Sequence, residues 1–192
     1  MARWEPNARE RLLRAALDLF SEQGYDATTV NEIAERAGLT KTTFFRHFPD
    51  KREVLFAGQE TRSLVLPLSE GIAGAPETAT PLEAVAAGLD KLAAGFTAER
   101  RLIATRLQVV VAASRELQER AAAKHVHLVE AMTVELRKRG VPELTAGLAA
   151  ELGARAFSRG FAQWADPTAP QTLTELIHVA LDELRAAAVA LD

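Results

Sequence analysis

Cysteine is absent from the 192 residues, which removes disulfide frameworks, thiolate nucleophiles and cysteine-based zinc sites together. Metal binding would have to rest on 4 histidines and on carboxylates. Strand-forming residues are scarce as well, with 13 Val, 4 Ile and 1 Tyr against 37 Ala and 25 Leu. Ala and Leu head the helix scale, whereas strands favour β-branched and aromatic residues, so an all-β fold is excluded and an α/β fold lacks material for its sheet. With 11 Gly and 8 Pro, a large disordered fraction is not expected. No run of roughly 18 uncharged apolar residues is present to span a membrane; even Leu102–Ala113 contains Arg106 and Gln108. Met1–Arg14 is cut by Arg3, Glu5, Arg9, Glu10 and Arg11, so it lacks the apolar segment of a secretory signal. The expectation is a helical protein of the cytoplasm.

The remaining composition, 48% hydrophobic and 26% charged, is that of an ordinary globular protein. A net charge of −3 argues against long-range attraction to nucleic acid, but the charges are unevenly placed. From Arg36 to Arg52 the cations Arg36, Lys41, Arg46, Lys51 and Arg52 are set against Asp50 alone. A local patch of this kind binds phosphates at contact range whatever the overall balance.

Prolines stand where helices would start or stop. Pro6 precedes the first apolar periodicity, Pro49 follows Phe48, Pro67, Pro76 and Pro81 bracket a small-residue stretch, and Pro142, Pro167 and Pro170 punctuate the last third. A first helix is expected from Asn7 or Ala8 to Gln23, with Leu13, Ala16, Leu17 and Phe20 on one face and Gly24 as its stop. Thr29-Val30-Asn31-Glu32 is a capping box that opens a second helix, in which Val30, Ile33, Ala34 and Ala37 repeat the apolar spacing before Gly38. Leu39 plugs the turn, and Thr40 caps a third helix from Lys41 to His47. A fourth helix is expected over Asp50–Leu66 and a loop over Gly71–Thr80. Further helices are expected over Leu82–Phe96, Ala98–Ala113, Ser114–Arg139, Glu143–Trp164 and Gln171–Ala190. The last carries Leu173, Leu176, Ile177, Ala180, Leu181 and Leu184 in one wide stripe, suited to a bundle. The expected fold is all-α, a three-helix N-terminal unit followed by a larger helical bundle, with about nine helices in total.

Helix, glycine-containing turn and a short polar-fronted helix make the helix-turn-helix arrangement, whose second helix lies in the DNA major groove. Lys41, Thr42 and Thr43 occupy the first turn of that helix. Lysine donates to guanine O6 and N7, and threonine offers both a hydroxyl and a methyl that meets the thymine methyl. Phe44 and Phe48, four apart, are expected to face inward as core rather than to stack on bases. Arg46 and His47 fall on the outer side, and Lys51, just past Pro49, is placed to meet a phosphate. Thr29 reads as a helix cap, and it or Thr28 is also a candidate phosphate contact. Arg3, Arg9 and Arg11 read either as an arm into the minor groove or as a merely soluble tail.

Here the chain resembles the tetracycline-repressor (TetR) family of bacterial transcription regulators. The resemblance is carried by Thr28-Thr29-Val30, Ile33-Ala34, Ala37-Gly38-Leu39, Lys41, Phe44-Phe45-Arg46-His47-Phe48, Lys51 and Leu55, and it covers roughly Arg11–Phe56. It implies a homodimer, with a DNA-binding helix-turn-helix domain over residues 1–50. Residues 51–192 would then form an effector-binding and dimerisation domain whose last two helices pair across a two-fold axis. The family usually has tyrosine where this chain has Phe45, and that hydroxyl typically touches a DNA phosphate; Phe45 keeps the ring without the hydrogen bond. The C-terminal half is faintly similar to the mycofactocin-type subgroup, which implies a long-chain acyl-CoA as effector; flavonoids, antibiotics and other drug-like compounds stay open beside it.

In the C-terminal part, Leu102–Ala113 reads as a buried central helix. Arg106 within it is then either paired with a carboxylate or holds an anionic effector. His125 shares a stripe with Leu117, Ala121, Leu128 and Met132 and reads as a satisfied core histidine or a pocket polar group; His178 has the same reading. His125 and His127 point to different sides of a helix and form no metal pair. Arg106, Val110, His125 and Met132 are the candidate effector-pocket residues. The small residues Ala146-Gly147-Leu148-Ala149-Ala150 and Gly153-Ala154 permit close helix approach. With the last helix they make a candidate dimer surface, represented by Leu148, Leu152, Phe157, Leu173, Ile177 and Leu181, or else a packing surface within the subunit.

No catalytic residues, metal ligands or cofactor motif emerge: there is no glycine-rich phosphate loop, no nucleophile–base set and no paired carboxylates at a telling spacing. The expected partners are double-stranded DNA with a palindromic operator, a small hydrophobic or amphipathic effector and a second copy of the chain, with no membrane. The expected function is a non-enzymatic repressor, with the fourth helix as the lever between effector and DNA. A ligand-binding or adaptor protein with a degenerate helix-turn-helix is the alternative.

Overall fold

Caps and glycines divide the N-terminal residues into helices where the sequence places them, whereas Pro67, expected at a helix boundary, lies inside a helix. The computed structural model describes residues 7–56 and 61–190. Helix α1 (Ala8–Gln23) stops at Gly24, whose φ of 87° is open to glycine and which donates its amide back to the Phe20 carbonyl. Helix α2 (Val30–Arg36) starts on Thr29. The Thr29 hydroxyl accepts from the Glu32 amide while the Glu32 carboxylate accepts from the Thr29 amide. Gly38, at φ 65°, turns the chain after it. Helix α3 (Lys41–His47) is capped by Thr40, whose hydroxyl accepts from the Thr43 amide.

Seven more helices follow among the described residues: α4 (Glu53–Phe56), α5 (Thr61–Ala73), α6 (Pro81–Ala93), α7 (Ala98–Ala112), α8 (Arg115–Lys138), α9 (Glu143–Trp164) and α10 (Leu173–Val189). The described helices number ten against an expected nine. The helix expected over Asp50–Leu66 is represented by α4 and the start of α5, and residues 57–60 between them lie outside the described residues. No described helix is long and apolar enough to cross a membrane.

The chain divides into two compact units. One joins the residues up to Phe56 with Arg106–Ala121; the other takes Thr61–Thr105 and the chain from Ala122 onward. A division at residue 50 would have left Arg106–Ala121 out of the first unit. That unit buries Leu12, Ala16, Leu17, Phe20, Ile33, Phe44, Phe48 and Val54, with α2 packed on both α1 and α3 and α4 packed on α1.

The second unit packs α5 on α6, α9 on α10, and α6 on α9. Its core runs from Leu68 and Ile72 through Val85 and Leu89 to Met132, Leu136, Ala150, Ala154 and Ile177. The glycine at the expected start of a loop, Gly71, instead lies inside α5. A Cβ there would sit 2.6 Å from Ala87 O and Gly88 Cα, so Gly71 and Gly88 let the two backbones approach closely.

One expectation for α7 is overturned and one of the two readings of Arg106 is met. Leu102 and Val109 are 68% and 69% exposed, so the helix is not buried all round. Arg106 is exposed too, and of its two expected readings the structure has the carboxylate pair, with Asp18 at 2.6 Å.

Candidate nucleic-acid interface

The front of α3 follows from its helical period. Phe44 and Phe48, four residues apart, are buried and in contact, ring centroids 5.5 Å apart. The opposite side therefore faces outward: Lys41, Thr42, Phe45 and Arg46 are exposed, and Thr43 and His47 are half-buried at its edges. The Thr43 hydroxyl lies 3.0 Å from that of Thr40, which ties it to the helix cap. The Arg9 guanidinium lies 5.3 Å from the Phe48 ring centroid. Burial first, then the charges of Arg46 and Arg9, hold the His47 imidazole below its ordinary pKa.

Several residues expected to touch DNA also make contacts within the chain. Thr28 is buried at 1% exposure, and its hydroxyl donates to the Gly24 carbonyl at 2.8 Å, so it closes the α1–α2 turn instead of presenting a face. Thr29 is exposed, with its hydroxyl shared between the Glu32 amide and carboxylate. The Lys51 ammonium donates to the carbonyls of Tyr25 at 2.8 Å and Thr28 at 3.1 Å and lies 4.1 Å from the Tyr25 ring centroid. It therefore caps the same turn. Arg11 donates to the Ala37 and Gly38 carbonyls at the end of α2; Arg3 lies outside the described residues.

The basic patch is correspondingly smaller than its sequence. Arg36 is held by Glu22 through two bonds of 3.0 and 2.9 Å, and Arg52 pairs with Asp50 at 2.8 Å and Glu116 at 3.2 Å. Of the cations counted between Arg36 and Arg52, Lys41 and Arg46 are the ones standing exposed on α3 itself.

The expected pocket residues are divided between the units. Arg106 and Val110 belong to the first, where Val110 is buried; His125 and Met132 belong to the second. His125 Nε2 lies 3.1 Å from Glu151 Oε2, and Met132 is fully buried in the core beside Gly153. His178 is likewise paired, 2.7 Å from Asp90.

The expected dimer residues also separate. Leu148 is 60% exposed on α9 and Leu152 is half-buried, but Leu173, Ile177 and Leu181 are buried in the subunit's own core. They cannot form a surface for a partner. Phe157 stacks on Phe161 at 5.9 Å, and Phe96 meets Phe157, Phe161 and Trp164 edge-on. This four-ring cluster was missed, although Phe157, Phe161 and Trp164 recur at i, i+4 and i+7 along one helix.

Three short helices, a glycine turn and an outward polar front backed by phenylalanines define the N-terminal unit as a helix-turn-helix module. Residues 12–57 match the family model of the tetR family of bacterial regulatory proteins. The chain is 54% identical over 46 residues to the HTH-type transcriptional regulator TcmR of Streptomyces glaucescens, covering 24% of this chain and 20% of TcmR. It is 34% identical over 92 residues to the HTH-type transcriptional regulator LmrA of Bacillus subtilis, covering 47% of this chain and 48% of LmrA. The chain thus spans less than half the length of these curated relatives. Along most of its length it is similar to the crystal structure of Thermus thermophilus FadR, a TetR family transcriptional repressor in complex with lauroyl-CoA. That match has a TM-score of 0.52 at 26% identity and covers 91% of each chain.

Proposed function

We propose that the chain is a transcriptional repressor that acts as a homodimer in the bacterial cytoplasm. Two α3 helices read a palindromic operator, and a small hydrophobic or amphipathic molecule bound by the second unit releases it. The observation that carries this reading is the two-faced α3, exposed at Lys41, Thr42, Phe45 and Arg46 and anchored behind by Phe44 and Phe48. A major groove admits one helix, Lys41 suits guanine O6 and N7, and the two-fold axis of a dimer imposes its symmetry on the operator.

The lauroyl-CoA of the Thermus thermophilus repressor supports an acyl-CoA as the effector class to test first. The ring cluster of Phe96, Phe157, Phe161 and Trp164 is apolar surface of the kind an acyl chain would meet. An effector acts only by its differential affinity for the two forms of the protein, and a coupling of about 1–3 kcal/mol would change operator affinity roughly 5–150-fold. The role is regulatory and not enzymatic.

Selection from a pool of random duplexes tests the reading. Enrichment of a palindrome, with binding weakened by lauroyl-CoA or another acyl-CoA, is the expected result. A protein that enriches no sequence is an adaptor and not a repressor.

A further inference from the structure

One side chain on the front of α3 differs in chemistry from its neighbours. Phe45 is 48% exposed, while Lys41 and Thr42 one turn back and Arg46 beside it are polar and exposed. Leaving a phenyl ring in water forgoes the stabilisation that burial would give it. The ring is nevertheless held: it meets Phe44 edge-on, with centroids 5.6 Å apart and planes at 81°, and Phe44 is itself fully buried. Phe45 thus presents a pre-positioned apolar surface in the middle of a basic face.

A phenyl ring has neither donor nor acceptor for a phosphate or a base edge. The apolar group that a base pair displays in the major groove is the thymine C5 methyl. We propose that Phe45 is a specificity residue that packs against one thymine methyl in each operator half-site, leaving hydrogen bonds and phosphate contacts to Lys41, Thr42 and Arg46. Because the ring is already braced by Phe44, little side-chain freedom is lost when the methyl docks. The inference rests on the DNA-binding reading above. A deoxyribose is also apolar, but it is the same at every base pair and confers no preference.

The test begins with the duplex selected by the wild-type protein. Each thymine is replaced in turn by deoxyuridine, symmetrically in both half-sites, which removes only the methyl. One replacement is expected to weaken wild-type binding about fourfold per half-site, the size of one buried methyl group. The same replacement should leave Phe45→Ala binding unchanged. Phe45→Tyr, which keeps the ring, should retain the penalty, and Phe45→Leu should retain part of it with the fold intact. The proposal is overturned if the penalty survives in Phe45→Ala, if no thymine matters, or if Phe45→Ala weakens every duplex equally, the mark of a sugar contact. In those three outcomes the selected duplex still binds and the DNA-binding reading stands. A wild-type protein that selects nothing overturns both.

Discussion

The Arg120 guanidinium clasps the Glu53 carboxylate twice, Nε to Oε1 at 2.6 Å and Nη2 to Oε2 at 3.2 Å, and lies 5.3 Å from the Phe56 ring centroid. The pair links α4 to the first turns of α8 within one unit, where Tyr25 and Arg52 also converge on Glu116. Its side chains are only 26% and 27% exposed, so solvent screens this pair less than the exposed pairs elsewhere. Bidentate, charge-assisted geometry places it above the usual surface ion pair. Arg120→Ala and Glu53→Ala should each lower stability to urea by about 1–3 kcal/mol, and the double variant should fall short of their sum by about 1 kcal/mol. Strict additivity would mean that the two side chains do not depend on each other.

Lys51 offers a contrast between a charge counted and a charge placed. Its ammonium serves the carbonyls of Tyr25 and Thr28 and the face of the Tyr25 ring. Lys51→Met keeps the aliphatic stem and removes the donor, and should cost about 1–2 kcal/mol of stability in thermal or urea unfolding. Its dependence of operator affinity on salt should match that of the wild type. A phosphate-bound Lys51 would instead make the log–log slope shallower by about 2 per dimer.

What could be read from the sequence follows the range of the interactions involved. Thr29 with Glu32, Thr40 before Lys41, and the glycine stops are local devices closed within four residues, and all appear in the structure. The bounds of α1 and α9 follow from apolar periodicity and prolines in the same way. Placement of cations was not legible, because the partners of Arg36 and Arg106 lie 14 and 88 residues away at Glu22 and Asp18, and Arg52 adds Glu116, 64 residues on, to its neighbour Asp50. Gly71 misled for a related reason. A helix-packing glycine and a turn glycine look alike until Gly88 is found against it. The stripe on α10 identified a buried face correctly, but a stripe does not say whether the same chain or a partner covers it.

His47 gives the proposed DNA binding a pH dependence. In the protein alone, burial and the neighbouring Arg46 and Arg9 keep its imidazole neutral further below the ordinary value of 6.5. The unfolded chain therefore takes up this proton first, so His47 subtracts from stability as pH falls through that ordinary value. A phosphate beside the ring has the opposite effect, favouring the charged form and raising the pKa in the complex. Operator affinity should rise as pH is lowered through and below 6.5, by up to about tenfold per pH unit for each subunit. His47→Gln should flatten the profile. An equal pH dependence in that variant would assign the titration to another group.

Leu148 and Ile177 separate the surface of the subunit from its interior. Leu148 stands 60% exposed on α9, with Leu144 one turn before it at 77%, while Val179 on α10 is 54% exposed. Ile177, two residues from Val179, is 1% exposed and lies so close to Gly160 that a Cβ there would meet its backbone nitrogen at 2.9 Å. If the outer faces of α9 and α10 form the proposed dimer, Leu148→Arg should keep the melting behaviour of a folded helical protein at low concentration. In sedimentation it should shift the population from dimer to monomer. Operator binding should fall with it, because one recognition helix spans only one half-site. Ile177→Arg should act differently, placing a charge in a packed core with no partner and destabilising the fold by more than about 3 kcal/mol. A Leu148→Arg protein that remains dimeric and binds its operator normally would move the dimer contact to another face.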